Sequence, residues 1–222
     1  MFLFFRDYKN IILINLKEYE ELYEMTNSNE FLINLCLLYI SLKNSEKLCN
    51  TYLRLARNIK KITYSSQEKL IKSKEEKEEI LTKSIKYYLE AFKLNPKSIE
   101  IILELSEIHR AIDKHKEALG FIDIAMKVEK NDYRIYYEGF LIYDEIGDIH
   151  TAKEMIKLCL ILNISFIKGY NTLGNLLRKE KLYDEALKIF STALTREPEN
   201  VQLLNNLGNC YLEMVIFNFL ML

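Results

Sequence analysis

Large apolar and small residues recur along this chain at a step of 34, and no other feature so narrows what it can fold into. Between Ile167 and Asn200 stand Tyr170, Leu173, Gly174, Leu177, Ala186, Phe190, Ala193 and Pro198. Their order is aromatic, two residues, Leu-Gly, two residues, large apolar, then Ala, three residues, Phe, two residues, Ala and finally Pro. One step forward, Leu204, Leu207, Gly208 and Tyr211 take the places of the first four. One step back, Tyr136, Phe140, Tyr143, Ala152, Ile156 and Cys159 fill the same register, with Gly139 one place early. A further step reaches Ile102, Leu105, Ser106, His109, Ala118, Ile122 and Ala125, and another reaches Ser84, Tyr88, Ala91 and Pro96. A period of this length means one supersecondary unit stacked on copies of itself, because no single unit can bury its own apolar face.

The order resembles the tetratricopeptide repeat (TPR), with Tyr170 in place of that family's Trp. The resemblance implies an all-α fold, a right-handed α-solenoid of antiparallel helix pairs, that binds other proteins. In such a pair Gly174 and Ala186 are small where two helix backbones come close, while Tyr170, Leu173, Phe190 and Leu194 fill the space between helices. Pro198 is expected to end the second helix, since its ring cannot continue the hydrogen-bond ladder.

The period divides the chain from residue 99 onward into units 99–132, 133–166 and 167–200 and a partial unit 201–213. Before that the reading is less regular. Residues 1–62 read as N-terminal helices forming a divergent unit, and residues 63–98 as a charged helical insertion with a degenerate unit. From Lys72 to Glu79 the chain reads Lys-Ser-Lys-Glu-Glu-Lys-Glu-Glu, a solvated stretch with charges at helical pair spacing. Two arrangements are open. Tyr52, Leu55, Ala56 and Ile59 form the first helix of the unit that ends at Pro96, or Leu32, Leu35, Cys36 and Tyr39 head a unit whose second helix carries Leu48, Tyr52 and Leu55. The second pairs Ser45–Lys60 back onto Phe31–Leu42 through the turn at Lys43–Ser45. Asp7–Met25, with Tyr8, Ile11, Ile12, Leu16, Tyr19 and Leu22 at helical spacing, reads as one more helix at this end.

With two prolines, six glycines and a net charge of −1, the composition is that of a helical array read as one continuous body. Near-neutral charge argues against nucleic acid as an obligatory partner, since phosphate binding needs a concentrated basic face. No run is long enough to span a membrane, and Met-Phe-Leu-Phe-Phe-Arg-Asp at the start is too short for a signal peptide. A cytoplasmic location is therefore expected. Cys36, Cys49, Cys159 and Cys210 agree, lying far apart without a CxxC pair; Cys36 and Cys159 occupy small packing places. His109, His115 and His150 lack the convergence of a metal or catalytic centre, and the glycines stand singly, so no loop cradles phosphate. No cofactor, no metal and no enzymatic activity are expected.

The resemblance places a guest on the concave face lined by the first helix of each unit. There the flanking residues are Lys168, Asn171, Asn175 and Arg178, then Gln202, Asn205, Asn206 and Asn209, a patch of amides and cations with no acid. Amides both donate to and accept from a peptide backbone, so this row suits an extended protein or peptide ligand. Asn175 and Asn206 match the two asparagines of the family's carboxylate clamp, but Asn171 stands where its first Lys belongs. Further back Glu100, Glu104, Glu107, Glu138, Asp144 and Glu145 make the lining acidic. Residues 214–222 are the apolar tail of an incomplete unit, with Val215, Ile216, Phe217, Phe219 and Leu220 uncovered and self-association one consequence. The reading is a non-catalytic scaffold; a TPR portion of a larger enzyme, such as a TPR-bearing glycosyltransferase, or a truncated remnant are the alternatives.

Overall fold

The computed structural model describes residues 15–25, 28–63 and 73–220, and among these every regular element is a helix. The expected Tyr8, Ile11 and Ile12, the N-terminal Met-Phe-Leu-Phe-Phe and the stretch 64–72 lie outside the described residues. The helices are α1 (15–25), α2 (Asn29–Ser41), α3 (Ser45–Ile62), α4 (Lys74–Leu94), α5 (Ile99–Ala111), α6 (His115–Val128), α7 (Tyr133–Ile146), α8 (Ile149–Leu162), α9 (Ile167–Lys179), α10 (Tyr183–Leu194) and α11 (Val201–Leu220). They fall into two compact units, Met1–Phe121 and Ile122–Leu222, with the boundary inside α6.

The turns show how the sequence writes the fold. Asp113, Gly147 and Lys181 all have positive φ, at 60°, 86° and 62°, and follow one another at the 34-residue step. Each left-handed residue lets the next N–H reach back past the helix end: Lys114 donates to the His109 carbonyl at 2.9 Å, Asp148 to Tyr143 at 3.0 Å and Leu182 to Leu177 at 2.9 Å. That satisfies a carbonyl the helix leaves open and reverses the chain into an antiparallel partner. Lys43, φ 53°, builds the same turn between α2 and α3, with Asn44 donating to Tyr39 at 3.0 Å. Opposite ends are started by side chains: Ser98, Asp132 and Asp148 cap α5, α7 and α8 by accepting from backbone amides of the first turn.

In the first unit α3 serves two partners. Leu48 and Leu55 face a core with Leu16, Leu32, Leu35, Cys36 and Tyr39, while Cys49, Leu53 and Ala56 face another with Leu81, Tyr88, Ala91, Ile101 and Leu105. Helix α3 thus contacts both neighbours, more extensively α4; Ala56 packs toward α4, whereas Leu55 and Ile59 pack toward α2. Ser84 Oγ donates to the Ala56 carbonyl at 2.7 Å, which is how closely the two backbones approach. The charged run from Lys74 is the exposed first two turns of α4 itself, whose apolar face begins at Leu81. Tyr88 is fully buried, its hydroxyl without a hydrogen-bond partner among the described residues, and burial with the nearby Glu104 carboxylate pushes the phenol well above its usual range.

The second unit repeats one device. Its core joins Phe140, Ala152, Ile156, Cys159, Tyr170, Leu173, Leu177, Ala186, Phe190, Ala193, Leu203 and Cys210. Gly174 is where α9 meets α10: a Cβ built on it would lie 2.5 Å from Cε1 of Phe190. Only a bare Cα allows that approach. Pro198 does not end α10. That helix stops at Leu194, and Pro198 sits in the connection to α11. Residues 214–220 of the apolar tail continue α11, which runs as one helix from Val201 to Leu220.

Candidate peptide-binding face

Helices α9 and α11 occupy the same place in successive repeats, so residues 34 or 35 apart lie side by side. Asn206 donates from Nδ2 to Asn171 Oδ1 at 2.5 Å, and Arg178 Nη1 donates to Glu213 Oε1. Arg178 also reaches Asn175 Oδ1, at 3.5 Å. At the other end of α9 the Lys168 ammonium stands 5.1 Å from the ring centre of Tyr137, a cation-π contact with α7.

Two hollows open beside this row. One, about 410 Å³, is lined by Lys168, Asn171, Thr172, Glu197, Gln202 and Leu203 among others. The second, about 260 Å³, brings Asn175 together with Leu141, Asp144, Thr172 and Lys179. Lys168, Asn171 and Gln202 are thus drawn to one place and Asn175 to another. Asn205 and Asn209 are exposed and line neither hollow.

The patch is not free of acid. Glu213 neutralises Arg178, and Glu197 lines the larger hollow. Glu213 was legible in principle, since it stands 35 residues past Arg178, the same separation that brings Asn206 to Asn171. Thr172 was missed for a different reason: a hydroxyl beside a motif place carries no sequence signal until a neighbouring helix supplies its contact. In the first unit, Glu100 and Glu104 are both bound by Arg57, at 2.5 and 2.7 Å, and Glu107 is 2.6 Å from Lys60. The acidic lining expected there is offset by cations that α3 delivers from 43 to 47 residues upstream.

The cysteines and His109 are used in packing. All four cysteines are buried and free, and burial pushes the Cys36 thiol up to about 11 and that of Cys159 up to about 12. His109 Nδ1 lies 2.7 Å from the Leu105 carbonyl and its ring rests on Phe121. Among the described residues no group of three or more His, Cys, Asp or Glu converges as a metal site, and no helix is long and apolar enough to cross a membrane.

The family model for the tetratricopeptide repeat matches residues 167–200. Hsp70-Hsp90 organizing protein 3 of Arabidopsis thaliana is 29% identical over 97 residues, which are 44% of this chain and 17% of the relative. The BBSome complex member BBS4 of Xenopus tropicalis is 29% identical over 111 residues, 50% of this chain and 21% of the relative. The chain thus spans about a fifth of the length of these relatives. Among solved structures, a thermophilic TPR protein of Thermus thermophilus aligns with a TM-score of 0.58 at 18% identity, covering 90% of this chain and 99% of that one. At that identity the likeness shows the fold alone.

Proposed function

We infer that this chain, in which residues 167–200 are a tetratricopeptide repeat, is a non-catalytic scaffold that binds a protein or peptide along α9 and α11. The observation that carries the reading is the hollow of about 410 Å³ between the starts of these two helices, lined by three amides, a hydroxyl, one lysine, one carboxylate and two apolar side chains. A row of amides holds an extended backbone without demanding a particular side chain, because each offers both a donor and an acceptor. Relatives whose names describe assembly, an organizing protein and a complex member, support the same class of work.

The chemistry favours a backbone-reading groove over a carboxylate clamp. A clamp needs uncommitted cations, and here Arg178 is paired with Glu213 while Lys168 rests on Tyr137. Gln202, Asn205 and Asn209, with Asn171 and Asn175 behind them, are the groups we assign to the guest. Asn206 acts by holding Asn171, and Arg178 by orienting Asn175. A cytoplasmic location, the absence of a nucleic-acid partner and self-association through the apolar α11 belong to this proposal.

The test is affinity capture from a cytoplasmic lysate with the wild type and with a variant carrying Asn171→Ala, Asn175→Ala, Asn205→Ala and Asn209→Ala, followed by titration of each captured client as purified protein. A client bound by the wild type and lost by the folded variant supports the reading. Equal binding of every client by both proteins would overturn the groove.

A further inference from the structure

We propose that the smaller hollow, lined by α7 and α9, seats an arginine side chain of the extended guest, with the Asp144 carboxylate as its anchor. This rests on the groove reading of α9 and names what the guest must carry. Thr172 lines both hollows, so a segment lying along the larger one reaches the smaller on the same face.

The starting observation is a pair of charges that does not close. Arg178 and Glu213 stand 35 residues apart on α9 and α11 and are bonded. Asp144 and Lys179 stand at the same step on α7 and α9 with the signs exchanged, and both line the hollow, yet among the described residues neither makes an ion pair. Local structure opposes a carboxylate at this place. Asp144 falls in the last turn of α7, where the helix dipole disfavours negative charge, and that turn holds no basic residue to offset it. An incoming cation would relieve this half-buried group, and a charge-assisted hydrogen bond is the strongest contact the hollow can offer.

The rest of the lining fits arginine in particular. Phe140 and Leu176 are buried and, with Leu141, give the hollow an apolar side against which a long aliphatic stem packs. The Thr172 hydroxyl donates to the Lys168 carbonyl and keeps its oxygen as an acceptor, and the Asn175 amide oxygen is held only loosely by Arg178, at 3.5 Å. A planar guanidinium with five N–H donors uses all three oxygen groups, where a lysine ammonium is a compact point charge. At about 260 Å³ the space falls under the roughly 300–1,000 Å³ of small-molecule pockets and suits one long side chain. Lys179 is exposed, so water and salt screen its repulsion more than they screen the attraction of Asp144.

Selection of random displayed heptapeptides on the immobilised full chain tests this, followed by fluorescence-anisotropy titration of resynthesised, end-blocked binders. The expected result is arginine enriched at one position. Affinity is expected to fall about tenfold or more when citrulline, of the same shape without the charge, replaces that arginine, and equally when the protein carries Asp144→Asn. Asp144→Asn keeps the shape of the side chain and removes a charge the helix end disfavours, so its melting temperature is expected to equal or exceed that of the wild type, which sets loss of folding aside. Lys179→Ala is expected to hold or tighten the same peptides. Binders without arginine, or arginine binders indifferent to Asp144→Asn, overturn the arginine seat and leave the groove in place. Binders weakened alike by Asp144→Asn and Lys179→Ala also overturn it, since a zwitterionic occupant behaves so. No binder at all overturns the groove and the seat together.

Discussion

Phe190 lies against the bare Cα of Gly174, so close that Cε1, Cζ and Cδ1 of its ring would stand 2.5, 2.6 and 2.9 Å from a methyl group placed there. Phe190 is fully buried, with no room to swing aside. Gly174→Ala is therefore expected to cost about 1–3 kcal/mol by overpacking. Gly208→Ala, one repeat later with its space open, is expected to stabilise by roughly 0.5–1 kcal/mol through helix propensity. Urea denaturation of the two variants checks both signs; two losses of equal size would refute the difference between these seats.

The recurring left-handed turn offers a second contrast. Gly147 adopts φ 86° at no steric cost, whereas Lys43 holds φ 53° against its own Cβ. Gly147→Ala is expected to lose about 1 kcal/mol, and Lys43→Gly to gain up to about 1 kcal/mol. Thermal melts followed by circular dichroism read the two shifts, which should be opposite in direction.

Packing and groove roles separate at neighbouring positions of α9. Leu173 is 3% exposed in the core, so Leu173→Asp buries an unpaired charge and is expected to cost several kcal/mol. Asn175, half-buried beside the smaller hollow, is expected to leave stability within about 0.5 kcal/mol when changed to Ala. Equal losses of melting temperature would contradict the assignment.

The thiols give a pH prediction. Burial raises the pKa of Cys36 to about 11 and of Cys159 to about 12, above the ordinary 9.0, so the folded chain disfavours thiolate and the unfolded chain does not. The stabilising contribution is complete below pH 9 and is lost as pH rises through the folded values. Native protein at neutral pH should resist alkylation at all four cysteines and react fully only in denaturant. Mass spectrometry after brief exposure to a maleimide measures this.

Much of the fold could be read in advance because its signals are local. The helix–turn–helix rhythm of α5 to α10 follows from apolar spacing of three and four with small residues at Ser106, Ala118, Ala152, Gly174 and Ala186, and each acts within a helix or on its immediate partner. Less of the site was legible. The eight flanking residues follow from the repeat register, but which of them bond to one another does not. Asn206 is held by Asn171, Arg178 by Glu213, and Glu104 by Arg57. Side-chain pairs of this kind join residues 35 to 47 apart, and composition near either member says nothing of the other.

What the sequence determined by itself is the period, the helices and the seats between them, since backbone hydrogen bonding, turn geometry and small-to-large packing are dictated by neighbours within one repeat. Only the tertiary structure decided how α3 divides its faces between α2 and α4, which amides line a hollow, and that Gly208 lies open while Gly174 is filled. The two glycines stand in the same motif. What distinguishes them is whether another helix lies across them, and that depends on burial between segments rather than on anything written at the glycine.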